Sequence, residues 1–150
     1  MLHRDMKIRL HQVKDAAEKV YGKDSVMSKV ALAQAQQESG IIKGASLLAS
    51  ECNNLFGIKG KGTAGTIEMS TSEFEKGKKI YIKDYFAKNA TLEDSFIHHK
   101  NLMNKPRYKK VLAAKSLEEA AQELLEAGYC TFPSYAQDVI VAYKAVQRRL

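Results

Sequence analysis

Glu38 ends a helical segment that is otherwise apolar, and a carboxyl group in that position is a candidate for acid–base chemistry. Residues 25–38 contain neither proline nor glycine, while Ser25 is typical of a helix start and Gly40 of a helix end. Apolar residues occur nearly all round this segment, which is typical of a central helix enclosed by others. Partial desolvation there would raise the pKa of Glu38 towards the range of a general acid, whereas full solvation would leave an ordinary surface carboxylate.

Residues 53–60, NNLFGIKG, combine two side-chain amides, an aromatic ring and two glycines in one short stretch. Amides form hydrogen bonds with polar ligand groups, aromatic rings offer an apolar face, and glycine lets the backbone approach a ligand closely. This composition favours a loop that binds a sugar.

These two stretches, AQAQQESG at 33–40 and NNLFGIKG at 53–60, together resemble glycoside hydrolase family 73. The family comprises endo-β-N-acetylglucosaminidases of peptidoglycan hydrolases and of flagellar rod-assembly proteins. The resemblance implies an α+β, mainly α, lysozyme-like fold with a small β-hairpin lobe beside the substrate groove, and Glu38 matches the catalytic acid. Residues 38–49 lack the tryptophan of the family pattern and are two residues longer, so the groove wall beside the acid is expected to differ.

A second carboxylate is expected on a β-lobe at residues 66–83, where two alternating runs flank a glycine. We expect this lobe to face the groove opposite the acid. Glycoside hydrolysis usually needs two carboxylates, although a substrate-assisted route through the N-acetyl group is an alternative. Among Glu68, Glu73 and Glu75, the resemblance of residues 71–74, TSEF, to a family motif identifies Glu73, and the other two are interpreted as solvated.

Residues 129–136, YCTFPSYA, resemble a further family motif whose first tyrosine reaches the active site. The resemblance implies that Tyr129 orients the sugar or the reacting water, whereas a half-buried tyrosine at a helix boundary is the alternative. His99 lies on an apolar stripe and is interpreted as a packed, structural histidine. The predicted substrate-binding residues are Gln34, Ser39, Asn53, Asn54, Phe56, Gly57 and Tyr135.

The chain of 150 residues predicts one domain, 1–150, whose segment 1–22 is a packing helix. A net charge of +7 favours polyanions such as the acidic bacterial cell wall, and no recognition-helix pattern indicates nucleic acid. No apolar run is long enough to insert into a membrane. The two cysteines and four histidines lack metal-binding spacing, so no metal or cofactor is expected. We also expect the protein to be a monomer.

The predicted function is hydrolysis of the β-1,4 bond between N-acetylglucosamine and N-acetylmuramic acid in peptidoglycan glycan strands. A muramidase or lytic transglycosylase of the same fold is one alternative, and a non-catalytic wall-binding or assembly module is another. The chain has no visible signal peptide, so we expect a phage endolysin or tail-associated lysin. Such a protein is made in the cytoplasm and acts on the wall after phage-mediated release or as part of the virion.

Overall fold

The computed structural model describes residues 3–43 and 45–150, and for residues 3–8, 73 and 74 it describes the backbone only. The described chain is mostly helical with one two-stranded antiparallel sheet, which confirms the predicted mainly α class with a β-hairpin. Its elements in chain order are α1 (His3–Tyr21), α2 (Val26–Ser39), α3 (Leu47–Cys52), β1 (Thr66–Glu75), β2 (Lys78–Ala87), α4 (Leu92–Met103), α5 (Lys109–Leu112), α6 (Leu117–Glu126) and α7 (Tyr135–Arg149).

Helix α2 is the central element, as its apolar surface predicts. The Ser25 hydroxyl accepts a hydrogen bond from the Ser28 amide at its start, and Gly40 ends it in the left-handed conformation at φ 63°. Glycine adopts that conformation without the steric cost that a side chain would add. Because α1, α6 and α7 all pack against α2, apolar residues on every side of the helix are buried.

Two apolar clusters lie on either side of α2. One contains Val30 and Ala33 and is completed by residues of α4 to α7, among them Tyr108 and Leu124. The other contains Leu32 and is completed mainly by residues of α1, with Phe96 of α4 among the rest. With both sides held, the end of α2 is a fixed platform for the residues that follow it.

The β-hairpin pairs Thr66 with Ala87 at its base and Glu75 with Lys78 at its tip. The two connecting residues, Lys76 and Gly77, both have positive φ values, 50° and 77°, as a two-residue type I′ turn requires. The hairpin runs to residue 87, four residues beyond the predicted end at 83. Its last two residues, Phe86 and Ala87, are both buried, so they break the alternation of apolar and polar residues that marked the strand.

Among the described helices, none is both long and apolar enough to cross a lipid bilayer.

Candidate active site at the end of helix α2

Glu38 lies in the last turn of α2 with its side chain open to solvent. Protein atoms around the carboxyl nevertheless displace part of its hydration, and this desolvation raises the pKa of Glu38 above the usual glutamate value. A surface carboxyl in such surroundings is reachable by a ligand and holds its proton to a higher pH than a fully hydrated one. Both properties suit a general acid.

Two tyrosines from the other end of the chain lie near enough to Glu38 for its charge to act on their phenols. Tyr129 is half-buried and stacks on Tyr135, with ring centroids 5.7 Å apart and an angle of 27° between the planes. Burial, and secondarily the negative charge of Glu38, raises the pKa of Tyr129 to about 12. The Tyr129 phenol therefore stays protonated at neutral pH and is available as a hydrogen-bond donor beside the acid.

Gln34, one turn before Glu38, is only 1% exposed. Its amide nitrogen donates to the Tyr135 hydroxyl at 2.8 Å, and its amide oxygen lies 2.5 Å from Nε2 of His99. A fully buried amide that is satisfied inside the protein has no surface left for a ligand. Gln34 therefore has a role inside the core instead of the predicted direct contact with substrate. Its partner Tyr135 is 8% exposed, so a small part of that side chain reaches the surface.

His99 is fully buried and hydrogen-bonded, in agreement with its interpretation as a packed histidine. Nδ1 of His99 lies 2.7 Å from the Tyr21 hydroxyl, and burial lowers the pKa of the imidazole to about 3. The ring is thus neutral throughout the physiological range. It also packs against Phe56 at a centroid distance of 4.5 Å, which connects the 53–60 loop to this interior.

Ser39 joins the end of α2 to the 53–60 loop. Its buried hydroxyl donates to the backbone carbonyl of Leu55, and the Leu55 amide in turn donates to the Ser95 hydroxyl at 3.0 Å. The Ser39 side chain is buried and its hydrogen is used inside the protein, and its predicted substrate contact stays a prediction. Ser39 instead fixes the position of the loop relative to Glu38.

Asn54 is likewise used inside the protein. Its amide nitrogen donates to the carbonyls of Ile58 and Ala87, both at 2.9 Å, and its amide oxygen accepts from the Ile58 backbone at 3.0 Å. All three bonds lie where the 53–60 loop meets the base of the hairpin. Asn54 is 1% exposed, so it is a structural anchor rather than the predicted sugar ligand.

Asn53 lies apart from the group around Glu38. It ends α3 in the left-handed conformation, and it lines an open cleft of about 410 Å³ together with Arg9, Asp15 and Glu93. None of the three residues Glu38, Tyr129 and Tyr135 lines this cleft. Of the other binding residues predicted in the loop, Gly57 is exposed and Phe56 is half-buried, so both have surface available for a ligand.

Glu73 lies in β1 with its backbone paired to Ile80. Its side chain is outside the part of the chain that the structure describes, so its participation in the site stays a prediction. Glu68 is exposed and lies 3.7 Å from the ammonium group of Lys83, as expected for a solvated strand residue. Glu75 is also exposed, at the last position of β1.

The link between α2 and α7 is the feature that sequence reasoning did not identify. The Gln34–Tyr135 hydrogen bond joins residues 101 positions apart. The only local signal is the four-residue spacing of Gln34 and Glu38, which places both on one helix face. Among the side chains that the structure describes, no group of three or more histidine, cysteine or acidic residues is arranged to hold a metal ion.

Comparison with known proteins identifies relatives over most of the chain. The family model described as mannosyl-glycoprotein endo-beta-N-acetylglucosaminidase matches residues 14–148. The chain is 40% identical over 129 residues to exo-glucosaminidase LytG of Bacillus subtilis, covering 82% of this chain and 45% of LytG. It is 33% identical over 140 residues to peptidoglycan hydrolase FlgJ of Escherichia coli K12, covering 89% of this chain and 44% of FlgJ. The chain thus spans less than half the length of these curated relatives.

Solved structures share the fold. The catalytic domain of the autolysin Auto from Listeria monocytogenes superposes with a TM-score of 0.73 at 27% identity, covering 99% of this chain and 87% of that domain. A C-terminally truncated glycoside hydrolase domain of Salmonella typhimurium FlgJ gives 0.69 at 26% identity, covering 98% and 99%. Together with the match over residues 14–148, these likenesses confirm the resemblance seen in the sequence: the chain belongs to the glucosaminidase family, glycoside hydrolase family 73, and has its lysozyme-like fold.

Proposed function

We propose that this domain hydrolyses the β-1,4 bond between N-acetylglucosamine and N-acetylmuramic acid in bacterial peptidoglycan. The observation that carries the proposal is the environment of Glu38, which is exposed to ligands, partly desolvated and adjacent to the protonated Tyr129. The names of two relatives, an exo-glucosaminidase and a peptidoglycan hydrolase, support glycan of the cell wall as the substrate. A net charge of +7 favours association with that acidic polymer.

In the proposed reaction, Glu38 transfers its proton to the glycosidic oxygen as the bond from that oxygen to C1 of N-acetylglucosamine breaks. The leaving sugar departs as an alcohol, and positive charge develops at C1 and the ring oxygen. The carboxylate of Glu73 takes a proton from the water that adds to C1, which completes hydrolysis. Tyr129 donates a hydrogen bond that holds the sugar or this water in place.

The test is digestion of purified peptidoglycan by the wild-type protein and by Glu38→Gln, followed by borohydride reduction and mass analysis. We expect reduced N-acetylglucosamine ends from the wild type and a loss of about 100-fold to 10,000-fold in the variant, the range that a general acid contributes. Glu51→Gln, which changes an exposed carboxylate of α3, is the matched control and should retain wild-type activity. Reduced or 1,6-anhydro muramic acid ends would instead indicate a muramidase or a lytic transglycosylase.

Glu73 is tested against a neighbour on the same strand. Glu73→Gln should lower the rate constant of cleavage strongly, whereas Glu75→Gln, two residues further along β1, should leave it unchanged. Equal activity of both variants would assign the second role to the N-acetyl group of the substrate. Folded wild-type protein that releases no ends would favour a wall-binding or assembly module.

The same digest separates internal from terminal cleavage. We propose internal cleavage, which shortens glycan strands rapidly and yields fragments of many lengths. Release of single sugars or disaccharides from strand ends would align the domain with the exo-acting LytG instead. The expected monomeric state and phage origin stay predictions.

A further inference from the structure

A buried row of four side chains connects α1 to the residues beside Glu38. Tyr21 contacts Nδ1 of His99 at 2.7 Å, Nε2 of His99 contacts the Gln34 amide oxygen at 2.5 Å, and the Gln34 amide nitrogen contacts the Tyr135 hydroxyl at 2.8 Å. The proposed reaction uses Glu38, Glu73 and Tyr129, and assigns no part to this row.

With the Gln34 amide oxygen towards His99 and its nitrogen towards Tyr135, as the structure has them, the chemistry of these groups sets the direction of every bond in the row. Buried His99 is neutral, so one of its two ring nitrogens carries a hydrogen. The Gln34 amide oxygen is an acceptor only, so that hydrogen is on Nε2. Nδ1 then accepts from the Tyr21 hydroxyl. At the other end the Gln34 amide nitrogen is a donor only, so the Tyr135 oxygen must accept.

The Tyr135 hydroxyl therefore keeps its own hydrogen for another partner. Within the described residues, the only hydrogen-bond partner of this hydroxyl is Gln34. Burial raises the pKa of Tyr135 well above the usual tyrosine value, so the hydrogen remains on the oxygen at any working pH. A buried tyrosine hydroxyl usually has a partner for its hydrogen, and an acceptor on a bound ligand would supply one.

The position of Tyr135 indicates where that acceptor binds. Its oxygen is tied to Gln34, one helical turn before Glu38 on the same face of α2, and its ring stacks on Tyr129. The charge of Glu38 acts on the phenols of both tyrosines, which places both near the acid. Among the residues that the structure describes, no hydrogen bond reaches the Glu38 carboxyl, so the Tyr135 hydrogen is not used there.

We propose that Tyr135 donates a hydrogen bond to an oxygen of the glycan bound beside Glu38, and that Gln34 and His99 are positioning residues that set the direction of this bond. The inference rests on the proposed function, because it requires a glycan in the site. Tyr21 donates to His99 and does not determine the direction of the bonds between His99, Gln34 and Tyr135.

The chain offers a matched pair of variants for the test. Tyr135→Phe and Tyr21→Phe each remove one phenolic oxygen from the same buried row, and both should lower the melting temperature. In a Glu38→Gln background, Tyr135→Phe should weaken binding of a soluble N-acetylglucosamine–N-acetylmuramic acid oligosaccharide about 2-fold to 13-fold, as the loss of one net hydrogen bond implies. Tyr21→Phe should change the dissociation constant by less than about twofold. The bond that it removes joins Tyr21 to His99, at the end of the row away from the ligand.

Gln34→Met tests the positioning role. Methionine keeps the length and burial of the side chain but releases the Tyr135 hydroxyl to rotate, so binding should weaken, though less than in Tyr135→Phe. Unchanged affinity in Tyr135→Phe, or equal losses in Tyr135→Phe and Tyr21→Phe, would overturn the inference while leaving hydrolysis intact. An oligosaccharide that binds none of the proteins, the Glu38→Gln parent included, would overturn the proposed function as well.

A second measurement needs neither ligand nor activity. In protein labelled with ¹⁵N-histidine, the His99 resonances should show a protonated Nε2 and an unprotonated Nδ1 at neutral pH. A protonated Nδ1 would reverse every bond in the row, leave Tyr135 as the donor to Gln34, and overturn the inference.

Discussion

Gln34 and Glu38 lie one turn apart on the same face of α2 and have opposite surroundings. The Gln34 amide is buried with a partner for its oxygen and one for its nitrogen, while the Glu38 carboxyl is exposed and forms no hydrogen bond among the described residues. One turn of a single helix therefore separates a buried, hydrogen-bonded residue from the exposed acid. The stacked tyrosines follow the same pattern, since Tyr135 is buried and Tyr129 half-buried.

Replacing Glu38 by Gln should stabilise the protein at neutral pH. Desolvation raises the pKa of Glu38 in the folded state, so the folded protein binds this proton more tightly than the unfolded chain does. The wild type therefore loses stability as the pH rises from the ordinary glutamate value of 4.5 through the raised value. Urea unfolding should show Glu38→Gln to be more stable above this window, with the difference vanishing below pH 4.5, and Glu51→Gln should show no such trend.

His99 should make the protein sensitive to acid. Its pKa is about 3 when folded against an ordinary value of 6.5, so the unfolded chain binds the proton more tightly between these values. The stabilising contribution is complete above pH 6.5 and is lost as the pH falls towards 3, by up to about 1.4 kcal/mol per pH unit. His99→Gln should lack this slope in urea unfolding, whereas His11→Gln, at an exposed histidine, should retain it.

Asn54→Asp should lower stability more than the small chemical change implies. The carboxylate keeps the acceptor for Ile58 but loses both donated bonds, to the carbonyls of Ile58 and Ala87, although the Ile58 carbonyl still accepts from the Ala87 amide. The loss of two net hydrogen bonds lowers the free energy of unfolding by about 1–3 kcal/mol. Denaturant unfolding measures it, and Asn101→Asp on the exposed surface of α4 should have little effect.

Gly62→Ala should disturb the base of the hairpin. A methyl group at residue 62 would meet the Lys88 carbonyl and approach the Asn89 Oδ1 atom to 2.5 Å. Because a backbone atom cannot move aside as a flexible side chain does, we expect a loss of about 1–3 kcal/mol. Lys61→Ala, at the preceding exposed position, should unfold at the wild-type denaturant concentration; equal stability of both variants would contradict the expectation.

The sequence predicts best the features that depend on neighbouring residues. The ends of α2 follow from Ser25 and Gly40, and the turn of the hairpin follows from Gly77, because caps and turns are formed within a few residues. Gln34 and Asn54 were predicted to face a ligand because composition indicates amides without showing where they point. Their partners include Tyr135 and Ala87, far along the chain, and only the tertiary packing brings these together.

The anchors of the β-hairpin have a mechanical consequence. The Asn54 bonds and the Lys59–Asp84 ion pair hold its base, whereas the turn at Lys76 and Gly77 is exposed. When a two-stranded hairpin is anchored at its base and bends, the displacement of its residues increases towards the turn. Position 73, the proposed second carboxylate, is close to the turn of the hairpin, whereas Glu38 lies on helix α2, which is packed on several sides. Bending of the hairpin would therefore change the spacing between the two groups, on which the stereochemical outcome of hydrolysis depends.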